Sequence, residues 1–312
     1  MVSIYRHAKC GKDWTMNDLQ AYNITVSSQS PYQFYGKPLP KVKSLTSIDP
    51  NLLSGTLGTP GLSDETYRLL QYLDLASRVE SSQASAVHDF TKEILRALGY
   101  EKRGLLLRSR YAIPLLVAGD ANRTVQTDVC LVQGSSAVLM VVHWQEDKNT
   151  VSVDPEPQVI AEAIAAFHFN NRIRARLAET ELGSMTIPCI AMIGTRPIFY
   201  LVPVTRELSD AVARASYPPS RTVVKKCVVA SNSRSISEGM ETPSFRQVAL
   251  QHYTAFRPLA ETHWSSFTVP GEMGVLADGE DARESKVRVR KDDQETKPTV
   301  TRASKRMKTC GL

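Results

Sequence analysis

Residues 127–148 read TDVCLVQGSSAVLMVVHWQEDK. An apolar run, a Gly-Ser-Ser turn and a second apolar run describe a tight β-hairpin. The second run, Ala137 to Val142, is uninterrupted, as expected of a strand buried on both faces. It then gives way abruptly to Gln145-Glu146-Asp147-Lys148. An acid, Asp128, sits inside the first apolar run, where an aspartate is a poor strand former and is costly if buried without a partner. Side chains alternate along a strand. Val142, Trp144, Glu146 and Lys148 therefore share one face, His143, Gln145 and Asp147 the other, and Asp128 can be placed on the first of these faces.

Working outward, a helical pattern opens at Ser63, a candidate cap with Asp64 and Glu65 in the first turn. A second helix spans about Ser82 to Leu98, with Val87, Phe90, Ile94 and Leu95 on one side and Gly99 as its stop. Leu105 to Val117 reads as a strand that Pro114 either interrupts or sends to a sheet edge. Thr124–Val132 and Ala137–Glu146 form the hairpin. Pro155 precedes an Ala-rich helix over 156–179. Thr186–Ile193 and Ile198–Val204 are further strands, and another helix begins near Thr205. Val223–Val229 and Phe245–Phe256 carry weaker strand and helix patterns. The expected fold is α/β with a mixed central sheet. The expected organisation is an N-terminal arm over 1–62 without its own core, an α/β domain over 63–270, and a disordered basic tail over 271–312.

Bulk properties narrow the function classes. Net charge is +6, but residues 280–312 hold ten Lys/Arg against six Asp/Glu, a net of +4. The body thus keeps only about +2, too little to make a uniformly basic surface. The five cysteines are scattered with no CxxC pair, which indicates neither a zinc site nor a disulfide framework. No apolar run approaches the ~18 residues needed to span a bilayer, and the first residues lack a signal-length apolar core. The expectation is an intracellular protein, nuclear or cytoplasmic, without a membrane partner. There is no phosphate loop, no dinucleotide fingerprint, and no HExxH or GxSxG motif.

An acid on one strand, then Glu-x-Lys at the end of the next, within an order of helix, three strands, helix, strand, resembles the restriction-endonuclease-like PD-(D/E)XK phosphodiesterase superfamily. Asp128 matches the first half-motif; Glu146 and Lys148, 18 and 20 residues on, match the second. The likeness covers about residues 82–205. Thr127 stands where the family name has proline. The chain also resembles fungal proteins of unassigned activity that carry a similar QEDK…DPEPQ stretch. The resemblance implies an αβββαβ core and hydrolysis of nucleic acid, DNA or RNA, by a Mg²⁺- or Mn²⁺-activated water. Asp128 and Glu146 would bind metal, a first-helix glutamate (Glu93, or Glu80) would join them, and Lys148 would position water. Gln158, on the helix after the hairpin, would support the site, with Glu162 one turn on.

Plainer readings stand beside these. Glu146 and Lys148 can be a solvated strand end with an ion pair contributing at most ~1 kcal/mol. Gln158 and Glu162 can be an exposed helical face. A lone histidine in a sheet, such as His143, is usually a hydrogen-bonded core residue, and Trp144 usually packing. Arg108, Arg110 and Arg123 can be surface charge or phosphate contacts. The basic runs at 286–291 and 305–308 can be a nuclear-import signal, a nucleic-acid arm or solvated tail. On the same sequence, a catalytically silent module with the same fold remains the alternative to an enzyme.

Overall fold

The computed structural model describes residues 6–78, 85–134, 137–145, 154–229 and 239–265. The first elements are α1 (Met16–Ala21), β1 (Ile24–Ser28), α2 (Pro31–Tyr35) and α3 (Pro50–Ser54). Next come α4 (Asp64–Ser77), α5 (Ser85–Ala97), β2 (Leu105–Val117), β3 (Asp120–Gln133) and β4 (Ala137–Gln145). They are followed by α6 (Glu156–Arg176), β5 (Ser184–Ile193), β6 (Arg196–Thr205), α7 (Arg206–Arg214), β7 (Thr222–Val228) and α8 (Pro243–Trp264). The seven strands form one mixed sheet in the order β1-β7-β6-β5-β4-β3-β2. The protein is therefore an α/β structure with a central sheet.

The hairpin of the opening quotation is β3–β4, antiparallel, with Val129 across from Val142 and a register shift after Leu131. Connecting β4 to β5, which runs parallel to it, requires a crossover. The Ala-rich α6 supplies it and is buried continuously from Val159 to Phe167. β2 closes the sheet as an edge strand, which is where a strand can hold Pro114 without losing an interior ladder bond. The local signals act as read: the Ser63 hydroxyl caps α4 by accepting the Thr66 N–H, and Gly99 follows α5 with φ +75°, a conformation open to glycine.

Residues 6–62 pack on this body rather than around a core of their own. Trp14, Leu19, Phe34 and Leu52 are buried in the same apolar cluster as Phe199 and Phe256. β1 also extends the sheet, pairing parallel with β7 from Ile24↔Thr222 to Ser28↔Lys226. The last described helix, α8, is longer than the apolar pattern over 245–256 suggested. The basic tail lies outside the described residues. Among the described residues no helix is long and apolar enough to cross a membrane.

The core carries an acid-sensitive group. His252 on α8 is 1% exposed, stacks on Phe199 at 5.8 Å between ring centroids, and meets the Tyr35 hydroxyl at 2.9 Å through Nδ1. Burial pushes its pKa from 6.5 down to about 4, so the folded protein keeps the ring neutral while the unfolded chain protonates it below 6.5. Stability on this account is complete above pH 6.5 and falls as the pH drops towards 4, by about 3 kcal/mol. Urea unfolding from pH 7.5 to 4.5 should show this slope in the wild type and a shallower one in His252→Gln. Equal slopes would contradict the assignment.

Candidate functional site

The site lies where the paired part of β3 and β4 ends. Continuing the Val129↔Val142 register by one residue sets Asp128 across from His143, and residues directly opposite in an antiparallel pair share a face. Strict alternation would group Asp128 with His143, yet its carboxylate lies against His88, the ring that also meets Trp144. The carboxylate reaches groups from two other elements, β4 and α5. Asp128 Oδ2 accepts the Trp144 backbone N–H at 2.5 Å, the donor a continuing ladder would have paired with the main chain. His143 Nδ1 lies 3.7 Å from the same oxygen. His88 Nε2, from α5, lies 3.1 Å from Oδ1, off the hydrogen-bonding axis and without another partner. The Asp128 side chain remains 21% exposed, so solvent or a ligand can reach it.

Behind Asp128 the chain of polar groups continues inward. His143 Nδ1 and Glu162 Oε1, on α6, are 2.8 Å apart, and the Glu162 side chain is only 5% exposed. Burial drives the Glu162 carboxyl up to about 7, against the pull of His143. Burial also works against a charged His143 ring, but the Glu162 carboxylate, helped by Asp128, outweighs it and raises the imidazole above its ordinary value. Each group's shift thus depends on the other, through the contact between Nδ1 and Oε1. Glu162 Oε2 and Trp144 Nε1 are buried without a hydrogen-bond partner, an arrangement that is costly unless something fills it. The His88 and Trp144 rings meet edge to face at 5.6 Å.

Replacing Glu162 with glutamine should therefore lower the His143 pKa, because the carboxylate that raises it is gone. Imidazole titration by NMR checks this. An unchanged midpoint would mean that the ring is set by Asp128 or by burial alone.

The anticipated residues fall into three groups. Asp128 and Gln158 both reach His143, and Gln158 also donates to the Lys12 carbonyl at 2.8 Å. Glu93 is not brought to Asp128. Its carboxylate contacts Arg96 closely and lies 3.6 Å from Arg68, because on helical geometry it is turned about 140° from His88; the α5 residue that reaches the site is His88. Glu146, Lys148 and Glu80 lie outside the described residues. Glu162 is no exposed helical face: it is the one carboxylate in the buried stretch Pro157–Phe167, and that composition was the available signal. His88 had none, since its partner Asp128 is 40 residues away in sequence.

Among the described residues no group of three or more His, Cys, Asp or Glu side chains is arranged to hold a metal ion. No known family model matches the sequence, and no curated protein is significantly similar to it.

Proposed function

We propose that this chain is a divalent-metal-dependent phosphodiesterase that hydrolyses nucleic acid, built on a restriction-endonuclease-like core. The observation that carries the reading is an accessible carboxylate where the β3–β4 pairing stops, Asp128, backed by a buried carboxylate with an unpartnered oxygen, Glu162. The succession α5, β2, β3, β4, α6, β5, with β4 and β5 parallel, is consistent with the αβββαβ order that the resemblance implies.

The donor set suits a hard or borderline divalent cation in part. Asp128 offers oxygen; His88 and His143 bring nitrogen nearby, which Mn²⁺ accepts more readily than Mg²⁺, but these three are not arranged to hold an ion by themselves. The resemblance assigns the second carboxylate to Glu146 and the water-positioning ammonium to Lys148. A bound cation would polarise a phosphoryl oxygen and acidify a bound water. The chain's own described residues do the rest. The Trp144 N–H fixes the Asp128 carboxylate. Gln158 and Glu162 orient the His143 ring from α6, and the His143–Glu162 pair can hold or release a proton beside the reacting centre.

The test is a cleavage assay on labelled single- and double-stranded DNA and RNA with Mn²⁺, Mg²⁺ or EDTA. Metal-dependent products support the reading. Binding without products in any metal supports instead a catalytically silent nucleic-acid module, a second reading favoured by the engagement of both Asp128 oxygens.

A further inference from the structure

Two arginines near the candidate site differ from most of their neighbours. Arg96, Arg123 and Arg174 are each tied to a carboxylate. Arg108 and Arg172 are exposed and pair with no carboxylate among the described residues. Each lies instead on an aromatic ring. The Arg108 guanidinium is 5.4 Å from the Tyr111 centroid, and that of Arg172 is 5.7 Å from the Phe169 centroid. The two rings meet edge to face at 6.2 Å. The four side chains therefore make one continuous row, guanidinium, ring, ring, guanidinium, joining β2 to the outer half of α6.

The row has a definite position. Arg108 and Tyr111 pair across the strand with Cys130 and Thr127, which bracket Asp128. Phe169 and Arg172 lie about 10 and 15 Å along α6 from Glu162, at 1.5 Å per residue. The row thus starts beside the Asp128 site and leads away from it.

We propose that Arg108, Tyr111, Phe169 and Arg172 form a stacking platform that guides single-stranded nucleic acid to the Asp128 site. A guanidinium resting on a ring keeps its outer plane free for a base and its N–H groups free for phosphate. The ring beneath restricts the arginine's rotamers before binding, which lowers the entropy cost of ordering it. Unpaired charge attracts the backbone, and flat groups accept bases without reading sequence. A duplex hides its base faces and gains only the charge. The inference rests on the proposed function for its choice of nucleic acid and deepens it by naming the strand state and the path.

The experiment measures binding of the full-length protein to a fluorescent oligothymidylate and to a duplex of equal length. It uses fluorescence anisotropy in EDTA at low salt, so that cleavage does not interfere. The wild type should prefer the single strand. Arg108→Ala/Arg172→Ala should weaken that binding by about tenfold or more. Arg108→Lys/Arg172→Lys, which keeps charge but loses the planes, should recover only part of it. All three should unfold at similar temperatures, since both arginines are exposed. Alanine variants that bind like the wild type, lysine variants that bind fully, or a wild type that prefers duplex would overturn the platform while leaving the proposed function intact. A wild type that binds no oligonucleotide would overturn both.

Discussion

Asp128→Asn protein should lose metal-dependent cleavage by about a thousandfold, the scale on which removing one preorganised charge-stabilising group acts, while folding as the wild type does. The asymmetry follows from the contacts of Asp128. The asparagine carbonyl can still accept the Trp144 N–H that Asp128 Oδ2 accepts now, so the end of β4 keeps its anchor. The negative charge facing His88 and His143 is lost. Asp128→Ala removes both and should add about 1–2 kcal/mol of destabilisation for the unpaired N–H. Cleavage rates and thermal unfolding on the same samples check this. An asparagine variant with wild-type activity would show that the carboxylate is structural and would remove the basis of the proposed mechanism.

Lys226→Met should produce the largest loss of stability, about 3 kcal/mol. Lys226 on β7 and Glu156 in the first turn of α6 form a close ion pair whose side chains are 19% and 6% exposed. Burial pushes the Glu156 carboxyl up, and the Lys226 ammonium only partly pulls it back. Without Lys226 the carboxylate would be left buried and uncompensated at the start of the helix that carries Gln158 and Glu162. Adding Glu156→Gln to Lys226→Met should recover most of the loss, because the cost lies in the stranded charge and not in the missing attraction. Urea unfolding of the two variants tests this. A double variant no more stable than the single one would place the effect in packing instead.

The contrast between these residues shows where single-sequence reading succeeds. β2, β3, β4 and α6 were legible because their signals are local: alternation, a Gly-Ser-Ser turn, an edge proline and an alanine-rich period. The pairing of β1 with β7 was not, since Ile24 and Thr222 meet across most of the chain and neither segment announces its partner. The site divides in the same way. Asp128 stood out as an acid in an apolar strand. Glu162 was read only as lying one turn from Gln158, with an exposed face equally consistent with its spacing, and its burial is seen only in the folded helix. Glu93 was chosen for its residue type, whereas the orientation of α5, fixed by the burial of Val87, Phe90, Ile94 and Leu95, selects His88. Such an orientation is a property of packing, and no local pattern reports it.

Mn²⁺ titration of the wild-type and Asp128→Ala proteins by calorimetry tests the central claim most directly. The account requires one saturable binding event in the wild type and its loss in the variant, with both proteins equally folded. Identical heats in the two proteins, or no binding in either, would contradict it and leave the Asp128–His143–Glu162 chain as a structural ion cluster.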